Sequence, residues 1–169
     1  YLGGSDLYID HDVRIFGPEN AGIVLDGRSD ADHSHSFQSV IRTNIDSVVH
    51  LENVTVQYGG GNEGGGIYAE GELFLKKCVI RENQATHNGG GIHMTHGSRG
   101  LMMEDCTVED NTSGLHGGGV HVDGMMGSEF ERCTISGNES QDGGGISVSS
   151  GVNLNLINTT LSGNLATYN

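Results

Sequence analysis

The chain has 169 residues, of which 29 are glycine, one is proline and none is tryptophan, and only 34% are hydrophobic. With 22 acidic against 8 basic residues the formal net charge is −14, which repels phosphate backbones and anionic membrane surfaces and argues against nucleic acid as a partner. No run of about 18 apolar residues occurs, so no membrane insertion by this segment is expected, and Tyr1 to Asp10 has neither the basic nor the apolar stretch of a signal peptide.

In chain order, Val13-Arg14-Ile15-Phe16-Gly17-Pro18, Ile23-Val24-Leu25-Asp26-Gly27 and Val48-Val49-His50-Leu51 read as short strands. They belong to two degenerate coils within residues 1–52, which also hold a polar, histidine-bearing loop near 28–36. From 53 to 169 a regular repeat takes over. Glycine triplets followed by an aliphatic residue start at Gly64, Gly89, Gly117 and Gly143, at spacings of 25, 28 and 26 residues. A second column runs in phase: Ile80-Arg81-Glu82-Asn83, Val108-Glu109-Asp110-Asn111, Ile135-Ser136-Gly137-Asn138 and Leu161-Ser162-Gly163-Asn164. Between these marks lie three strand-like stretches, such as Ile67-Tyr68-Ala69, Leu73-Phe74-Leu75 and Cys78-Val79-Ile80. Helices fail on propensity, because each glycine costs a helix about 0.8 to 1 kcal/mol against alanine.

A period of about 26 residues with three short strands and no helix predicts an all-β fold: one right-handed parallel β-helix, a solenoid of about six coils forming a rod roughly 29 Å long. A solenoid needs only a narrow aliphatic stripe per coil, which suits this composition. Period-2 alternation places Ile67, Ile92, Val120 and Ile146 inside and Tyr68, His93, His121 and Ser147 outside. Leu51, Leu75, Met103, Phe130 and Leu156 form an inner column, and Val54, Cys78, Cys106, Cys133 and Thr159 another. Cysteine there reads as a small apolar filler. Asn83, Asn111, Asn138 and Asn164 are expected to form a hydrogen-bonded structural ladder at a bend. Neither end carries a polar cap in this reading, so the segment is expected to belong to a longer chain or to associate end to end with other copies.

The two motif columns resemble the right-handed β-helix repeats of large bacterial surface proteins. The nearest likeness is the chlamydial polymorphic outer-membrane protein type, whose Gly-Gly-Ala-aliphatic and Phe-x-x-Asn motifs stand here as Gly-Gly-Gly-Ile and aliphatic-x-x-Asn, best over 53–164. The resemblance implies an extracellular or cell-surface rod with structural or adhesive use. Its function is expected to lie in length, rigidity and an acidic outer surface that binds Ca²⁺ or glycans loosely. Pectate-lyase-like proteins share the same solenoid and imply the alternative of a polysaccharide lyase or glycoside hydrolase with catalysis on an outer strand face.

Candidate chemistry concentrates on the outer face of the first strand. Glu70, Thr95 and Asp123 share a column, and Glu70 and Asp123, two coils apart, stand roughly 9.6 Å apart by strand spacing, near the upper carboxylate separation for inverting glycosidases. The basic residues Lys76, Lys77, Arg81, Arg99 and Arg132 are scattered, which disfavours a uronate lyase, so Glu70 and Asp123 are the catalytic candidates only under the enzyme reading. His93 and His121 share a column while His116 and Asp142 precede glycine triplets. With Asp123 these could hold a transition metal, or Ca²⁺ where carboxylates dominate. The bland alternative is a polar surface filled by duplication, with no cofactor. Of the sequons at Asn53, Asn111, Asn138 and Asn158, the two in the bend column are expected to be buried. Asn53 and Asn158, in a column with Lys77, Asp105 and Arg132, are the candidates for glycosylation in a eukaryotic source.

Overall fold

The computed structural model describes residues 6–19, 22–28, 38–124 and 126–168. Most of the polar loop expected near 28–36 lies outside the described residues, as does Met125. Among the described residues there is no helix, only strands, bridges, turns, bends and irregular backbone between them.

One coil shows the construction. Ile67–Ala69 lies in a first sheet, Glu72–Lys76 in a second, Val79–Arg81 in a third and Gln84–Ala85 in a fourth. The next coil repeats them as Ile92–Met94, Gly100–Glu104, Thr107–Glu109 and Thr112–Ser113. The first three sheets each hold six strands, the fourth holds four, and all pairs are parallel, as in Ile67↔Ile92↔Val120↔Ile146. Six stacked strands span five full turns of the solenoid. A parallel pair needs a crossover of about a dozen residues or more, and here the other sheets of the same coil supply it.

The fourth sheet adds to the three strands expected from sequence. Its strands are two residues long, with Ala85, Ser113 and Ser140 buried. Small inner residues in so short a span leave no hydrophobic alternation to read.

The corners have a repeated backbone signature. A single left-handed residue turns the second strand into the third: Asn53 (φ 55), Lys77 (φ 51), Asp105 (φ 54), Arg132 (φ 53) and Asn158 (φ 49). Another column, Glu82, Asp110, Gly137 and Gly163, is left-handed just before each ladder asparagine. At the opposite bend Gly117 takes φ 64, and a Cβ on Gly118 would collide with the carbonyl oxygens of Glu139 and Gly144. The triplet is therefore fixed by conformation at its first member and by backbone approach at its second.

Inside, one narrow core runs the length of the coils. Leu73, Ile80, Ile92, Leu101, Val120, Phe130 and Ile135 are fully buried, each contributing about 1.5 to 3 kcal/mol by leaving water. The ladder is continuous. Asn83 Nδ2 donates to Asn111 Oδ1 (2.9 Å), Asn111 Nδ2 to Asn138 Oδ1 (2.9 Å) and Asn138 Nδ2 to Asn164 Oδ1 (3.0 Å). Each also donates to a carbonyl of a preceding coil, Val56, Ile80 and Val108 in turn. Buried backbone and side-chain groups at this corner are thereby paired.

The cysteine column does more than fill space. Cys78, Cys106 and Cys133 are buried free thiols. Cys106 Sγ accepts the Cys78 N–H (3.4 Å), while the Cys78 thiol donates to the Leu51 carbonyl (3.3 Å). Thr159, next in the column, accepts from Cys133 N–H (3.3 Å) and donates to Phe130 O (3.0 Å) in the same way. Hydrogen bonds to Cys133 and Cys78, with burial behind them, push the Cys106 thiol upward, so it stays protonated.

Candidate functional site

The outer face of the first sheet carries the candidate residues in three adjacent columns and is concave at its early end, beside Arg42, Glu63, Tyr68 and Glu70. Strand register sets its floor as Tyr8, Arg42, Tyr68, His93, His121 and Ser147. One wall is the column Glu70, Thr95, Asp123, directly after these strands. The other precedes the glycine triplets: Glu63, Asn88, His116 and Asp142, with Asn88↔His116↔Asp142 bridged strand to strand.

The two floor histidines point outward, yet they are 5% and 6% exposed. Neighbouring rings cover them. The Tyr68 ring meets His93 edge-on (5.7 Å), His93 meets His121 edge-on (5.1 Å), and His116 lies over His121 (5.8 Å). Sequence alternation gave their direction but not this enclosure, which depends on rings one coil away and, over His121, on His116.

Enclosure sets the chemistry. Burial pushes His93 down to about 4 against the opposing pull of Asp123, and burial followed by the His93 charge pushes His121 down to about 4. Both rings are neutral near pH 7. Their Nδ1 atoms, together with Asn88 Oδ1, have no hydrogen-bond partner; the Glu63 carboxylate stops 3.6 Å from His93 Nδ1. Tyr68 is raised by burial and by the Glu70 and Glu63 charges, against Arg42. Arg42 stacks over the Tyr68 ring at 4.9 Å, and a polar pocket of about 300 Å³ opens beside Arg42, Glu63 and Tyr68.

Of the expected site residues, the structure brings together His93, His116 and His121, and sets His116 Nδ1 3.5 Å from Asp142. Asp123 lies apart, on the opposite wall, with His96 Nδ1 at 4.0 Å. Among the described residues no group of three His, Cys, Asp or Glu side chains is arranged to hold a metal ion. Glu70 and Asp123 share their wall across the Thr95 layer, as the backbone bonds Thr95 N to Ala69 O and Asp123 N to Met94 O require. Lys76 and Arg132 lie elsewhere, bonded to Glu104, Asp105 and Glu131. Arg42 and Glu63 were not picked out from the sequence. Glu63 was findable, since it stands at the same place before a glycine triplet as His116 and Asp142.

Of the sequon asparagines, Asn111 and Asn138 are fully buried in the ladder, Asn158 is exposed, and Asn53 is half-buried with its Nδ2 donating to Gly17 O (3.3 Å).

Parallel sheets stacked in register around one narrow core define a parallel β-solenoid. Residues 4–168 match the family described as right handed beta helix region; the chain belongs to that family. No curated protein and no solved structure gives a significant match.

Proposed function

We propose that the chain is a rigid rod of an extracellular or cell-surface protein, structural or adhesive, in keeping with its likeness to the chlamydial polymorphic outer-membrane type. The observation that carries this reading is the unbroken ladder Asn83–Asn111–Asn138–Asn164 within sheets that stay in register through every coil. Such stacking resists bending and shear, because each coil is hydrogen-bonded to the next along its whole circumference. Proteolytic shaving of intact source cells tests it: β-helix peptides are expected in the released fraction. Recovery only after lysis would overturn the location.

End-to-end association belongs to the same proposal. Leu156, Leu161 and Leu165 are exposed, and a second copy stacked on them would cover them. Analytical ultracentrifugation across concentration distinguishes a self-stacking rod from one that stays monomeric.

A polysaccharide-cleaving enzyme is the second reading, favoured by the Glu70–Asp123 wall beside Tyr68 and Arg42. Product release from a polysaccharide panel, abolished in Glu70→Gln or Asp123→Asn, would establish it over the structural rod.

A further inference from the structure

The outer face of the second sheet carries a different surface. Register aligns Arg14, His50, Phe74, Met102 and Glu129 in one column and Phe16, Glu52, Lys76, Glu104 and Glu131 in the next. The upper part is apolar. His50 and Phe74 stack face to face at 4.4 Å and 6° between planes, Phe16 is 57% exposed and Met102 37% exposed. A groove of about 310 Å³ runs among these side chains from Phe16 to Glu131. Spanning five strands, it is roughly 19 Å long.

Its uncommitted charge is negative. Four carboxylates line it, Glu52, Glu104, Glu129 and Glu131, with the ammonium of Lys76. Lys76 is committed to Glu104 at 2.9 Å and Arg132, beside the groove, pairs Glu104 and Glu131, which leaves Glu52 and Glu129 without a cation. Glu129 accepts from Asn155 (2.9 Å). Glu52 accepts no side-chain hydrogen bond and closes no ion pair among the described residues. It sits beside His50 on its own strand and across from Phe16. An unpaired carboxylate beside aromatic faces is a receptor for an organic cation, since ring quadrupole and carboxylate attract the same charge.

We propose that this groove docks an extended basic polypeptide segment in which Lys or Arg side chains alternate with apolar ones. Period-2 alternation sends the apolar side chains to one side, onto the column of His50, Phe74 and Met102, and the cations to the other, onto the column that holds Glu52. Charge complementarity selects this occupant: the groove repels anionic glycans and lipid headgroups. A neutral glycan can donate hydroxyls to these carboxylates but brings no charge to match theirs. At about 3.3 Å per residue the groove accommodates about six extended residues. This contact surface is independent of the rod's length and of end stacking.

Fluorescence polarisation with a labelled six-residue peptide of alternating Lys and Phe tests it, with alternating Glu and Phe, alternating Lys and Ser, and neutral glucan and chitin oligosaccharides as comparators. The Lys-Phe peptide is expected to bind, weakening with salt. Glu52→Gln and Phe74→Ser, each melting as the parent does, should weaken binding about three-fold or more, while Glu139→Gln, an exposed carboxylate on the fourth sheet, leaves it unchanged. Equal loss in Glu139→Gln would reduce the effect to diffuse attraction by the −14 charge and overturn the groove. Absence of Lys-Phe binding, equal binding of the Lys-Ser peptide, or displacement by a neutral oligosaccharide would also overturn it.

Discussion

Asn138 Oδ1 accepts two hydrogen bonds from Asn111, one from the side-chain Nδ2 at 2.9 Å and one from the backbone N–H at 3.0 Å. Asn111 Oδ1 receives the same pair from Asn83. Each rung therefore satisfies donors in the coil before it and uses acceptors in the coil after it.

Asn111→Ala leaves the buried Asn83 N–H without an acceptor and Asn83 Nδ2 with its bond to Val56 O alone. At about 1 to 3 kcal/mol for an unsatisfied group and about 1 kcal/mol for each further hydrogen bond lost, with some relaxation, the expected loss is roughly 3 to 5 kcal/mol. Asn164→Ala, at a half-buried rung, should cost about 1 kcal/mol. Urea unfolding of both variants measures the difference; equal losses would mean that the ladder does not gain its strength from burial.

Corner geometry gives a second expectation. Lys77 is exposed and left-handed at φ 51, in the column where Asn53 and Asn158 do the same. Lys77→Asn should be neutral or slightly stabilising, because asparagine tolerates this conformation. Lys77→Val should destabilise by about 1 to 2 kcal/mol, since a β-branched residue is strained there. Thermal melting of the pair reads the backbone, since among the described residues the Lys77 side chain closes no hydrogen bond or ion pair, and high salt screens its charge on Asp105.

Much of this architecture was written in single residues that repeat. The glycine triplets and the ladder asparagines are each dictated by one local requirement, a left-handed or crowded backbone and a buried corner, so they mark the period and the strands between them. Lys77 and Arg132 hide the same corner because neither side chain advertises a positive φ. The fourth sheet hides because Ala85 and Ser113 are too small to show alternation. His93 and His121 were legible as outward-facing, but their burial is made by rings the alternation does not place: Tyr68 one coil away over His93, and His116 of the same coil over His121. The groove on the second sheet was legible least of all: Phe16, His50 and Phe74 become neighbours only when the register of the degenerate early coils is known.

The thiol column yields a third prediction. Cys106→Thr keeps an acceptor for the Cys78 N–H, as Thr159 does for Cys133, and should cost less than about 1 kcal/mol. Cys106→Val, though close in volume, leaves that N–H unpaired and should cost about 1 to 3 kcal/mol. All three thiols should resist an aromatic disulfide reagent in the folded protein and react in denaturant. Fast labelling under native conditions would contradict their burial.

The covered histidines make stability fall with acid. His93 and His121 titrate at about 4 in the folded chain against an ordinary 6.5, so between these values the unfolded chain binds protons that the folded chain refuses. The stabilisation is fully present above pH 6.5, declines as pH falls through the window and is gone below about 4. At about 1.4 kcal/mol per tenfold change in proton affinity, each ring could contribute at most about 3 kcal/mol. Solvent beside the rings and the facing carboxylates Glu63, Asp123 and Asp142 reduce this to about 1 to 2 kcal/mol. Tyr68 stays neutral throughout the range, and His116, half-exposed, faces Asp142. The control uses residues that already occupy this column: His93→Tyr copies Tyr68 and His121→Ser copies Ser147. Melting midpoints of the double variant should fall less between pH 7 and 4.5 than those of the parent. Parallel curves would assign the acid sensitivity instead to carboxylates held below their ordinary range, such as Asp26, hydrogen-bonded to Arg28 and Gln57, whose stabilisation disappears at lower pH.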